Sequence, residues 1–291
     1  MSKLDLIIEE RSRDIGDFIV GRLIPFRKKR AVGPFTFIDH MAPIELGPHN
    51  YLDVGQHPHA GLATLTYLFE GQIMHEDSTG AKQLITPDSV NLMIAGKGAS
   101  HTERTPKHLV ESQTKFIQSG YQIWIALPKE KEKMEPEFHN IKVTDLPQWQ
   151  EGNTAFKLIA GKGFGKESPV PTLSPLFMVD IQTEDQPFEL NIKDELKGEI
   201  GITIVEGAIK ACEHIIEKGN MLVSKIENQC TITIQPHSHL LLFGGEPLPE
   251  EHYIYWNFVS SSKERLKELK QKWNTKNFPL IEGESSFIPA P

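Results

Sequence analysis

Two short polar pairs, each set beside glycine, are the residues of this chain best suited to chemistry. The first is His57-Pro58-His59 in "GQHPHAG"; the second is His101-Thr102-Glu103 in "AGKGASHTERTP". In a strand, side chains at i and i+2 leave the same face about 6 to 7 Å apart, close enough to converge on one ion. Pro58 cannot donate a ladder hydrogen bond, which puts the first pair at a strand start or edge. Gly96 and Gly98 indicate a tight turn feeding the second. Together the pairs offer three imidazoles and one carboxylate. That donor set suits a borderline divalent metal, Fe(II), Mn, Ni, Cu or Zn, with positions left open for water or substrate. The same spacing also serves ordinary polar residues at a strand mouth, so the metal reading rests on the two pairs occurring together.

The remaining motifs add little. His237-Ser238-His239 repeats the H-x-H spacing in a polar turn, and no second pair in the C-terminal half completes four ligands. His75, in "MHEDSTG", precedes a hairpin turn built by Asp77, Ser78 and Gly80; it is expected at the surface, with the pocket mouth as the alternative. No P-loop, G-x-S-x-G or helix-opening G-x-G-x-x-G occurs, which leaves nucleotide and serine-hydrolase chemistry without a motif.

Strands must carry these pairs, and strands dominate the chain. Apolar-polar alternation marks "LATLTYLFE" (62–70), "SVNLMIA" (89–95), "YQIWIAL" (121–127), "LFMVDIQ", "ITIVEGAIKAC", "CTITIQP" and "LLLFGG". Many short strands with close turn signals mean an all-β sandwich or barrel. A charged, Pro-containing stretch from Lys129 to Asn153 reads as a linker between two β domains, 1–140 and 141–291. Both halves contain strand-Glu-Gly-strand, "YLFEGQI" and "TIVEGAI", which suggests two copies of one fold. "SSSKERLKELKQKW" (260–273) breaks the β pattern: Leu266, Leu269 and Trp273 recur at helical spacing behind serine cap candidates. It should be an amphipathic C-terminal helix packed on its domain.

With 291 residues, 38% of them hydrophobic, the chain can bury a sizeable core. A net charge of −8, with basic residues dispersed apart from "RKKR" at 27–30, argues against direct nucleic-acid binding. No signal-like or membrane-spanning segment is visible, so a cytoplasmic protein is expected, and a monomer. Cys212 and Cys230 sit in apolar contexts and are expected as buried, reduced thiols.

Larger stretches resemble the pirins, a family of bicupins. The resemblance rests on "RAVGPFTFIDHMAP", "HPHAGLATLTYLFEG", "HEDSTG", "SVNLMIAGKGASHTE" and "YQIWIALP", with "LLLFGGEPL" and "YIYWNFVSSSKERL" similar to the C-terminal region of its bacterial branch. It implies two tandem cupin (jelly-roll-type) β-barrels plus the C-terminal helix. The N-terminal barrel would hold Fe(II) on His57, His59, His101 and Glu103, and the C-terminal one would lack a ligand set. It further implies quercetin 2,3-dioxygenase activity, with Glu103 taking the proton of a bound flavonol-like aromatic substrate. Pirins are also described as iron-containing redox sensors that bind a transcription factor or metabolic enzyme without turnover, so enzymatic activity stays open. A zinc-filled structural cupin is a third reading. Asp39, in "FIDHM", lies in a segment that the resemblance places near the pocket, where it could orient a ligand or metal-bound water; a solvated turn residue is the competing reading. Gln122 and Trp124 share a strand face that could equally be barrel wall. Two departures, Leu92 in place of an aromatic and Ala60 in place of a frequent arginine, are expected to touch the barrel's lining and rim.

Overall fold

The computed structural model describes residues 6–15, 19–87, 89–193, 195–228 and 231–291. In the first barrel, a four-stranded sheet runs in the order Asp53–His59, Ala99–Arg104, Ile73–Asp77, Lys82–Ile85. A seven-stranded sheet places Glu137–Lys142, Ser89–Ile94, Leu62–Glu70, Phe116–Ala126 and Phe35–Leu46 side by side, then continues through two N-terminal strands.

The second barrel repeats this plan. Its small sheet runs Phe188–Leu190, Ile232–Ile234, Ala208–Ala211, His214–Glu217, and its eight-stranded sheet sets Asn220–Lys225, Glu199–Glu206, His239–Gly245 and Leu176–Thr183 in matching order. The echoed Glu-Gly marks the same corner in both. At Gly71 and Gly207 the chain leaves a large-sheet strand for a small-sheet strand with φ of 83° and 73°, a left-handed step that disfavours any Cβ. The fold is all-β, two cupin barrels with one C-terminal helix, as expected.

The topological match explains what the second barrel lacks. Its strands Phe188–Leu190 and Ile232–Ile234 stand where the first barrel has Asp53–His59 and Ala99–Arg104. There Leu190 and Ile232 are cross-strand partners, and both belong to an apolar core with Ile202, Leu222 and Leu242. Apolar packing thus fills the interior that histidines occupy in the first barrel.

Compact units do not follow a division at residue 140. One unit comprises 1–11, 22–36 and 144–248, and the other 12–21, 37–143 and 249–291. The helix Lys263–Asn274 therefore belongs with the histidine barrel, not with the second barrel to which its place in sequence points. Ser262 caps it by accepting the Arg265 amide (3.3 Å), and Leu266, Leu269 and Trp273 are its buried stripe. That stripe packs with Ala60, Phe258 and Phe278, so the partner of the helix is the residue just after His59. Beyond the helix the chain laces along the outer side of the His57 strand: the Gln56 amide donates to Ser286 Oγ (2.9 Å) and the Ile288 amide to the Gln56 carbonyl (2.9 Å).

The stretch 129–153 is not simply a linker. It contributes the strand Glu137–Lys142 to the first barrel, paired with Ser89–Ile94, and Gln148–Glu151 to the second. Its charge reflects edge strands with a solvated side rather than the absence of structure. Lys29 of the basic cluster is ion-paired with Glu199. Cys212 is half-buried and disulfide-bonded, which corrects the expectation of a reduced thiol; Cys230 lies outside the described residues. No helix among the described residues is long and apolar enough to cross a membrane.

Candidate metal centre

His57 and His59 lie on the edge strand of the small sheet, where Pro58 costs no ladder bond from a central position. Antiparallel pairing sets His57 opposite His101 and His59 opposite Ala99. Beyond His101 the register slips: Glu103 pairs with Val54, so two residues of one strand face three of the other. Such a bulge bends a strand and re-aims its side chains. The second strand starts from the Ala95–Gly98 turn. A Cβ on Gly96, at φ 50°, would fall 2.2 Å from the Met134 carbonyl oxygen, and one on Gly98 2.6 Å from the Phe278 ring. Both glycines are thus required by close approach as well as by conformation.

The three imidazoles form a triangle with ring centroids 4.3 Å (His57–His101), 5.0 Å (His59–His101) and 5.3 Å (His57–His59) apart. Their ligand atoms all lie within 4.8 Å of one another, and residues His57, His59 and His101 are 7%, 2% and 1% exposed. His57 turns Nδ1 to the Gly55 carbonyl oxygen (2.9 Å). Nδ1 of His59 and Nε2 of His101 are buried without a hydrogen-bond partner. Orphaned buried nitrogens are costly unless something satisfies them, and a divalent cation does so.

Electrostatics favour the same role. Burial pushes the His57 ring down to about 4; the hydrogen bond to Gly55 raises it, and the neighbouring His75 lowers it further. Burial, then the neighbouring His57, holds His59 and His101 well below the ordinary imidazole range. All three are neutral near pH 7, the form that ligates a metal. The donor set fits a divalent transition metal.

Glu103 stands apart from this triangle: the group within 4.8 Å comprises the three histidines alone. The residue is half-buried, and Gln122 Nε2 donates to Oε1 across the barrel at 3.4 Å. Burial raises its pKa, opposed by His75 and by the Gln122 hydrogen bond. Gln122 sits in a polar rung crossing four strands, Asn140, Asn91, Thr66 and Gln122 in register, with Asn140 donating to Asn91 (2.7 Å) and Thr66 to Gln122 (2.6 Å). The next rung carries Trp124, which meets the His59 ring edge-on at 5.1 Å and stacks on Phe37 at 3.9 Å. The face shared by Gln122 and Trp124 is therefore the wall opposite the histidines. Asp39 is buried two residues beyond Phe37, on the same side of its strand.

Three residues lie elsewhere than expected. His75 is not at the surface but 2% exposed, its ring stacked on Phe138 and 5.0 Å from that of His101. Leu92 pairs with Leu65, which pairs in turn with Ile123 in the strand beyond, and this row occupies the sheet face opposite Gln122 and Trp124, so Leu92 does not face the histidines. Ala60 is fully buried against Phe258 and Trp273, not on a rim, and an arginine there would have nowhere to put its charge. His237 is exposed at φ 54°, and His239 Nε2 meets Asp180 Oδ1 at 2.8 Å.

Comparison with known proteins follows these features along the chain. The pirin family model matches residues 17–125, the segment that carries the imidazole triangle, and the pirin C-terminal cupin model matches 178–279. The chain belongs to the pirin family. A pirin-like protein of Caulobacter vibrioides is 39% identical over 99% of both chains. The crystal structure of a quercetin 2,3-dioxygenase from Acinetobacter baumannii is 34% identical and covers 98% of this pirin and 94% of that enzyme, with a TM-score of 0.86. The Escherichia coli pirin YhhW, solved in complex with nickel(II), shares the fold at 17% identity and a TM-score of 0.64, over 84% of this chain and 99% of that one.

Proposed function

We propose that this pirin is a metal-dependent dioxygenase of the quercetin 2,3-dioxygenase type, acting on flavonol-like aromatic substrates. Its metal is Fe(II), held by His57, His59, His101 and Glu103. The observation that carries the reading is the buried triangle of neutral imidazoles with orphaned ring nitrogens. Likeness to the Acinetobacter baumannii enzyme supports the substrate class.

Held by these residues, the metal would supply a Lewis-acidic centre for an oxygen-donor substrate and for dioxygen. The residues of the chain do the rest. Glu103 accepts the substrate's hydroxyl proton, and the upward push of burial makes its carboxylate a stronger base than one in water. Gln122 donates to Oε1 and so orients the carboxylate for that transfer. Phe37 and Trp124 give a flat substrate an aromatic wall beside His59.

The test follows quercetin absorbance and carbon monoxide release under air, with Fe(II)-loaded protein beside His101→Ala. Loss of colour with carbon monoxide in the wild type alone is expected. Release no greater than in the variant would reject turnover and leave a redox-sensing regulatory role for the same site.

A further inference from the structure

Two buried groups beside the triangle have no part in that chemistry. His75 Nε2 lies 3.0 Å from Asp77 Oδ2, and His75 Nδ1 lies 3.2 Å from His101 Nδ1. Asp77, also buried, uses its other oxygen to close the hairpin turn: Oδ1 accepts the Thr79 amide (2.8 Å), the Thr79 hydroxyl (2.6 Å) and the Ala81 amide (3.2 Å).

Proton positions follow from what each atom can do. An ionised carboxylate only accepts, so His75 carries its proton on Nε2 and donates it to Asp77. Where that is the only proton on the His75 ring, Nδ1 is bare and must accept, which places the proton of the 3.2 Å contact on Nδ1 of His101. The lone pair of His101 is left on Nε2, the atom that is buried without a partner.

From these contacts the geometry assigns His75 and Asp77 as positioning residues that lock His101 in the tautomer able to ligate through Nε2. They act as the Gly55 carbonyl does on His57, but through a charged acceptor, which also raises the basicity of the ligand. Burial alone would raise the Asp77 carboxyl, yet the hydrogen bonds from His75 and Thr79 outweigh it and hold the group below its ordinary value. The assignment rests on the metal reading of the triangle, not on dioxygenase turnover.

Asp77→Asn separates the two jobs of the aspartate. The amide oxygen can still accept the turn donors, while its NH2 faces Nε2 of His75. Donation from that NH2 moves the His75 proton to Nδ1 and forces His101 to protonate Nε2, the ligating atom. Metal-free protein labelled with 15N-histidine is examined by long-range 1H–15N correlation, and zinc is titrated into chelator-stripped samples. His101 should be the Nδ1–H tautomer in the wild type and Nε2–H in Asp77→Asn, with zinc affinity lowered ~10–100-fold. His75→Phe, which keeps the ring on Phe138, should leave His101 in both tautomers and lose less affinity. A wild-type His101 protonated on Nε2 would overturn the assignment, as would an Asp77→Asn protein matching wild type in tautomer and affinity. Wild type with the Nδ1–H tautomer that flips in Asp77→Asn, yet without zinc binding, would uphold the clamp and reject the metal reading.

Discussion

Acidification of the metal-free protein is the perturbation whose size the structure sets most directly. His57 titrates near 6.5 when unfolded and at about 4 when folded, because burial penalises its charged form. A folded-state pKa below the unfolded one means that the unfolded chain binds the proton first. The stability is present above about pH 6.5 and lost as pH falls toward 4. For His57 alone the loss is ~2 kcal/mol by pH 5 and ~3 kcal/mol once pH drops below its folded value. His59 and His101 move in the same direction and add to it. Urea unfolding in the presence of chelator, at about pH 7.5 and pH 5, measures the loss, and His57→Gln isolates the share of one imidazole. The variant should be less sensitive to acid by at least ~2 kcal/mol, since removing His57 also removes its charge from beside His59 and His101. Equal pH dependence in the two proteins would refute the argument that these rings are held neutral by burial.

Other perturbations test separate parts of the account. Glu103→Gln should keep the metal on three imidazoles yet lower flavonol cleavage by ~10²- to 10⁴-fold, measured in steady state on metal-replete protein. Trp273→Ala empties a fully buried site between the helix and Phe287, and urea unfolding should show a loss of ~3–5 kcal/mol. Ala60→Arg buries a guanidinium under Phe258 and Trp273 and should cost roughly 3 kcal/mol or more in the same assay.

Much of the barrel architecture can be read in the sequence because strand alternation and turn glycines are local signals. The repeat is visible in one echoed Glu-Gly, since both barrels need a left-handed step at the same corner. His57, His59 and His101 could be singled out because i and i+2 share a face whatever lies around them. His75 could not, because its burial depends on Phe138, a residue in an edge strand whose solvated side reads as a charged linker. The helix shows the same limit. Its spacing fixes which side is buried, but its partner Ala60 lies some two hundred residues earlier, beyond any local pattern. The register shift between His101 and Glu103 likewise leaves no mark in composition.

The most direct test of the central claim is metal content. Chelator-stripped wild type and His101→Ala are loaded anaerobically with Fe(II), desalted and analysed by elemental mass spectrometry. The account predicts about one iron per chain in the wild type and almost none in the variant, because two imidazoles and a carboxylate leave the site incomplete. About one iron per chain in both would contradict it.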